Sequence, residues 1–405
     1  MSDQPYSPKI ERFLIPVLAC LFGLTLVSYY LAANGKINNF PNYLNFLALL
    51  AFAILIPRRF FLVLKTNWSP VWGWLIGFLV YLTLSGLWSE NGGMPVSSLY
   101  LGYSLLLLTF IISFVLCYQQ LPLFKSWCLP VLILAASVSA TYSIYFYYGL
   151  ADYHPLDEDR LYALGRLKNP VIGAFSYATA LVFALFYFAH GKELLERLLW
   201  GGCLLILTWA LWLSGTRAVW VGIGSLLLAS AIFVPAWTRK TATIIAVLLL
   251  PVLTTAIVYF QAATGDTLLG PRQLSFRPEI WAASLSKVWQ TNPILGLGIN
   301  SNSELPYGRY VFQHSHSIYF STLFYGGLTA LVLLAGLLVS CLRLAFRQPD
   351  SQEKQMSLGT FVFSIFAFAV DGDRLLEKID FHWIAFWLPV ALIIAISHQQ
   401  PSGKT

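Results

Sequence analysis

The sequence predicts an all-α polytopic membrane protein, with about 12 transmembrane helices and one large outer loop between helices 9 and 10 that holds a short amphipathic helix. Three observations lead there. Hydrophobic residues make up 58% of the 405-residue chain, above the roughly 45–50% of soluble domains. Charged residues make up 11%, less than half the usual ~25% and too few to cover a soluble surface of this size. Apolar runs of the ~20 residues that cross a bilayer recur along the chain. These features exclude a soluble enzyme, a disordered chain and a disulfide scaffold. Cys20, Cys117, Cys128, Cys203 and Cys341 lie in or beside apolar segments without metal spacing. They read as buried small hydrophobes. The net charge of +7 does not indicate nucleic acid, because no basic block reaches five residues. A charge bias across a membrane explains it better.

The runs follow one another with short connections. Run 13–33 comes after a polar N-terminus and no small-residue cleavage site follows it, so it reads as a span and not a cleaved signal. Runs 40–57, 70–88, 98–118 and 127–149 come next, with Arg58, Arg59, Lys65 and Lys125 in alternate connections. Runs 170–190, 197–213, 218–236 and 241–261 follow, with Lys192, Arg197, Arg239 and Lys240 between them. Runs 317–341, 356–371 and 381–397 complete the set, and 197–213 and 356–371, both short, are the two weakest. An even number of spans puts both termini on one side. With cytoplasmic termini, basic residues outnumber acids inside and are outnumbered outside, as orientation requires. Residues 1–405 therefore read as a single integral membrane domain.

Three outer regions stand apart: 150–169, the loop 262–316, and 371–380. Long loops of this kind are uncommon unless they are functional, so the outer face is the functional one. Within 262–316, residues 278–290 read as a helix with Pro278 at its first position. Trp281, Leu285, Val288 and Trp289 share one face. Such a helix either lies at the membrane surface or packs on the bundle. Both readings place Arg277 at its N-terminus, where free N–H groups and the dipole favour an anion. An Arg there suits phosphate oxygens, or it pairs with a nearby acid such as Glu279. Residues 292–298, Asn-Pro-Ile-Leu-Gly-Leu-Gly, are rich in turn formers and are no nucleotide fingerprint. His314 and His316 open the tenth span. On a helix their spacing points the rings to different faces, which argues against metal. A proton-transfer role suits them, as does a plain interfacial hydrogen bond. Arg217, in the tight turn Ser214-Gly-Thr-Arg217, stands at the outer edge of the bundle. It either snorkels or faces a polar cavity.

Taken together, these motifs resemble the O-antigen ligase and polymerase superfamily. Arg166-Leu-Lys168-Asn169-Pro170 is similar to its Arg-to-Asn-Pro segment, and Ser214-Gly-Thr-Arg217-Ala-Val-Trp220 to its Ser-x-x-Arg-x-x-Trp turn. Arg277-Pro-Glu-Ile-Trp281 with Pro293-Ile-Leu-Gly296-Leu-Gly298 is similar to its helix and loop. His314-Ser-His316-Ser317-Ile-Tyr319 is similar to its His-x-His-Asn/Ser-x-Tyr signature, and Gly327 follows. Ser317 stands where Asn is commoner, and Ala330 where a second Gly often follows.

The resemblance implies a multi-pass inner-membrane glycosyltransferase, inverting and metal-independent, that needs no cofactor. Its donor would be a glycan on undecaprenyl diphosphate and its acceptor the lipid A–core oligosaccharide, met on the periplasmic face among membrane lipids. Arg217 and Arg277 would clamp the diphosphate as charge grows on it. His316, or else His314, would take the acceptor proton. Arg166, Arg272, Lys168, His314 and Tyr319 would contact diphosphate or sugar. A polymerase of the same superfamily is the nearest alternative. A protein O-oligosaccharyltransferase and a secondary transporter of 12 helices are the others. The transporter is disfavoured because the spans are almost free of charge and no internal repeat is visible.

Overall fold

A computed structural model of the chain describes residues 8–32, 39–51, 69–90, 92–151, 159–233, 276–307 and 310–397. Before the large loop come α1 (Pro8–Leu31), α2 (Phe40–Ala51), α3 (Pro70–Ser85), α4 (Met94–Gln120), α5 (Pro122–Leu150), α6 (Pro170–His190), α7 (Leu194–Ser214) and α8 (Arg217–Phe233). The loop holds α9 (Arg277–Thr291) and an antiparallel hairpin, β1 (Leu305–Tyr307) with β2 (Tyr310–Phe312). Then come α10 (Ile318–Phe346), α11 (Gln352–Val370) and α12 (Trp383–Ser397). Among the described residues, six helices are long and apolar enough to cross a bilayer: α1, α4, α5, α6, α7 and α10. Helices α2, α3, α8 and α12 are shorter but apolar. The expected ninth run, 241–261, lies outside the described residues, as does the stretch 262–275 with Arg272.

Local chemistry sets the helix ends. Proline at the first or second position opens α3, α4, α5, α6 and α9, where its missing N–H costs nothing. Asn169 caps α6 by accepting from the Val171 N–H at 2.8 Å, and Ser351 caps α11 by accepting from Lys354 N–H at 3.1 Å. Helices α7 and α11 are longer than their apolar runs because the backbone stays helical through Glu196-Arg197 and Gln352–Lys354.

Helices α6 and α12 form the centre. Leu388–Ile396 of α12 are buried throughout. Helix α6 is largely buried, whereas most of α7 is not. The exposed Leu194, Leu195, Leu198 and Leu205 therefore put α7 on the lipid-facing flank. Helix α11 packs on α8 and α6, and α10 packs on α3.

Helix α10 is broken at Gly327, which sits at φ +62°. A break exposes backbone groups that water cannot satisfy inside a bilayer. The 292–298 turn satisfies them. Leu297 N–H donates to Phe324 O at 2.9 Å and Gly298 N–H to Tyr325 O at 2.8 Å. In return, Leu328 N–H donates to Pro293 O at 2.8 Å. A Cβ on Gly296 would stand 2.3 Å from the Gly327 nitrogen, so this backbone contact requires glycine on both sides. On its far side the turn is pinned to α3, whose Ser85 Oγ accepts from Ile299 N–H at 3.0 Å. The turn-rich motif read from the sequence thus wedges into α10 and fixes its N-terminal half.

Candidate active site

The N-terminal half of α10 begins just after the two histidines, and α9 grips them from the side. Arg277 and Trp281 are one turn apart, so both project from the same face of α9. Arg277 Nη2 donates to Asp371 Oδ2 at 3.0 Å, and Trp281 Nε1 donates to Ser315 O, between the histidines, at 2.9 Å. Trp281 also stacks on Phe320, with centroids 5.1 Å apart. The expected apolar face of α9 is divided. Ile280, Ser284 and Val288 pack inward, whereas Leu285 and Trp289 are exposed. The helix therefore packs on the bundle and still presents an apolar outer side.

Asp371 follows the last residue of α11 and is almost fully buried. Its Oδ1 lies 3.1 Å from His316 Nδ1 and accepts from Gly372 N–H at 2.9 Å. Burial raises its pKa, but the His316 hydrogen bond and charge, Arg277 and the Gly372 N–H outweigh burial and hold it below the usual carboxylate value. With a carboxylate on Nδ1, the proton of neutral His316 sits there, and Nε2 keeps its lone pair. The His316 side chain remains 32% exposed, so that lone pair is within reach of a substrate. His316 also has φ +52°, an uncommon backbone state for a residue with a Cβ and one that clusters at functional sites. His314 supports this conformation, since its Nδ1 accepts the His316 backbone N–H at 3.2 Å. Burial and then His316 lower the His314 pKa. His314 thus acts as a prop, and of the two imidazoles His316 is the one equipped as a base.

The other expected residues fall in three places. Arg217 is exposed at the first position of α8. Arg160 lies beside it, in the electrostatic field of both Arg217 and Asp371. Arg166 Nη1 donates to Ile379 O, and the side chain sits in the field of Tyr29 and Asp380. It braces the 371–380 loop. Lys168 is exposed beside the α6 cap. Tyr319 OH donates to Ile365 O of α11 at 3.0 Å, which packs α10 on α11. Arg272 lies outside the described residues. Sequence reasoning missed Asp371 and Arg160 as site residues. The acid-rich stretch 371–380 was visible as an outer region, but no spacing tied it to His316 or Arg277.

The family model described as O-Antigen ligase matches residues 201–335. The chain is also 29% identical over 363 residues to the O-antigen ligase of Pseudomonas aeruginosa, across 87% of this chain and 83% of that protein. Both matches support a membrane enzyme that transfers glycans. The matched stretch contains Arg217, Arg277, His314 and His316, together with the Gly296–Gly327 wedge. Asp371 comes from beyond its matched boundary, so the carboxylate that orients the histidine is supplied by the C-terminal part of the chain.

Proposed function

We propose that the protein transfers a glycan from undecaprenyl diphosphate to a hydroxyl of the lipid A–core oligosaccharide, with inversion and without metal, on the periplasmic face of the inner membrane. The observation that carries this reading is the Arg277–Asp371–His316 chain. Asp371 holds His316 Nδ1, and Arg277 holds Asp371. His316 Nε2 then takes the proton of the acceptor hydroxyl as its oxygen bonds to the anomeric carbon. The bond from that carbon to the diphosphate oxygen breaks, and the lipid diphosphate leaves with its electron pair. Fixed cations stabilise that growing charge. Arg217 is exposed on the same outer side. Arg277 keeps a second role open, because its solvent-shielded Nε has no hydrogen-bond partner among the described residues. A substrate oxygen would satisfy it. Both termini are cytoplasmic in this reading.

A deletion strain examined for its lipopolysaccharide tests the assignment. Undecaprenyl-linked polymer accumulating beside bare core is the expected result. Core carrying a single repeat unit would instead identify a polymerase.

A further inference from the structure

We propose that Arg160 is the positioning residue for Arg217: it holds the α7–α8 turn in one conformation and so fixes where the Arg217 guanidinium meets the donor's diphosphate. The inference rests on the reading of Arg217 as a diphosphate ligand.

The turn contains only Gly215 and Thr216, and Arg217 follows at once. Its geometry is held from outside. Arg160 Nε donates to Ser214 O at 2.7 Å, and Arg160 Nη2 donates to Thr216 Oγ1 at 3.0 Å. Ser214 is the last residue of α7, and its carbonyl has no acceptor role left within the helix. One guanidinium therefore bridges the residue before Gly215 and the residue after it. The neighbouring Leu161 N–H donates to Leu213 O at 2.9 Å, so the strap is laid along the helix end. Thr216 Oγ1 in turn donates to Pro170 O at 3.3 Å, tying the turn to the first residue of α6. Ser214 and Thr216 are both buried. Gly215 lies at φ +60°, and a Cβ there would stand 3.5 Å from Arg160 Nε.

The electrostatics agree with this geometry. Burial disfavours the Arg160 charge most, Tyr162 and Asp371 favour it, and Arg217 opposes it. The two guanidinium groups and the carboxylate behind His316 thus share one field. Two cations held near each other make a site that an anion stabilises. Arg160 commits its Nε and Nη2 donors to the turn that carries Arg217, which makes it the brace. Lysine cannot make the brace, because a single ammonium lacks the planar fork that spans Ser214 O and Thr216 Oγ1. Misplacement of a catalytic cation by about 1 Å costs on the order of 10²-fold in rate.

The test uses the purified full-length chain with an undecaprenyl-diphosphate-linked glycan and lipid A–core. Arg160→Lys is expected to lower kcat about 10- to 100-fold, with the acceptor KM and the thermal midpoint unchanged. The double variant Arg160→Lys/Arg217→Lys is expected to be no slower than Arg217→Lys alone, because the brace acts only through Arg217. Thr216→Val, which removes one acceptor from the guanidinium, is expected to reproduce the effect in milder form and serves if Arg160→Lys fails to fold. Wild-type rates in both single variants would overturn the inference, as would multiplicative losses in the double variant or a raised acceptor KM with a lowered midpoint. A wild-type chain that transfers nothing would overturn the functional reading itself. Unaffected variants of an active chain would overturn only the role of Arg160.

Discussion

The two oxygens of Asp371 serve two different groups, and that division decides what His316 can do. One oxygen fixes the imidazole and the other is held by Arg277. Asp371→Asn would present an amide whose NH₂ can face Nδ1 and favour the wrong tautomer. Transfer is expected to fall roughly 10²–10⁴-fold, with donor binding unchanged in a direct binding assay. The same substitution tests a linkage. The folded pKa of Asp371 lies below the ordinary carboxylate value. Its ionisation therefore contributes stability that is fully present above the unfolded pKa and is lost as pH falls through the folded one. Thermal midpoints of wild type and Asp371→Asn should thus differ at neutral pH and converge on acidification. A constant gap would contradict the assignment. Arg217→Lys and Arg277→Lys should both be severely impaired in the same transfer assay, since lysine lacks the fork. Near-normal rates for both would remove the cationic role. At this scale the sequence shows Arg277, Arg217 and the histidines, because each stands in a recognisable local motif. It offers Glu279 as an example of an acid that could pair with Arg277, where the structure has Asp371. The 94 residues that separate Arg277 from Asp371 explain the miss, since no periodicity spans that distance.

At the level of elements, the 292–298 turn and the break in α10 form one object made of two distant pieces. The turn was legible from Asn292, Pro293, Gly296 and Gly298. Its partner was not, because the break exists only where Gly327 leaves the helical region and the turn fills the gap. Gly296→Ala would place a methyl group against the Gly327 backbone at φ +71°. The backbone conformation alone costs about 1–2 kcal/mol, and the contact adds to that. A clearly lowered thermal midpoint, together with reduced transfer as the His316 turn shifts, is the expected result. An unchanged midpoint would show that the wedge bears no strain. Helix α9 teaches a related lesson. Its periodicity was readable, but a lipid-facing and a protein-facing leucine look alike in sequence. Leu285 and Trp289 accordingly turned outward, while Ile280 and Val288 turned in. The hairpin was not foreseen, because strands of three residues carry too little pattern.

For the whole molecule, composition and hydrophobic runs gave a polytopic helical membrane protein, and six of the described helices are long and apolar enough to span. Every run that falls within the described residues is helical there, because a chain crossing lipid must satisfy its backbone internally. The sidedness inferred from basic residues can be tested by single cysteines in a cysteine-free background. Lys168→Cys should react with a membrane-impermeant thiol reagent from the periplasm, and Arg347→Cys only after the inner membrane is opened. The reverse pattern would put the site on the wrong face. The central claim is that His316 is the base of a glycosyl transfer, and the most direct measurement is the rate of transfer by purified His316→Ala from an undecaprenyl-diphosphate-linked glycan to lipid A–core. The predicted result is a loss of at least about 10²-fold in a variant that inserts and folds as wild type. Transfer at the wild-type rate would contradict the account.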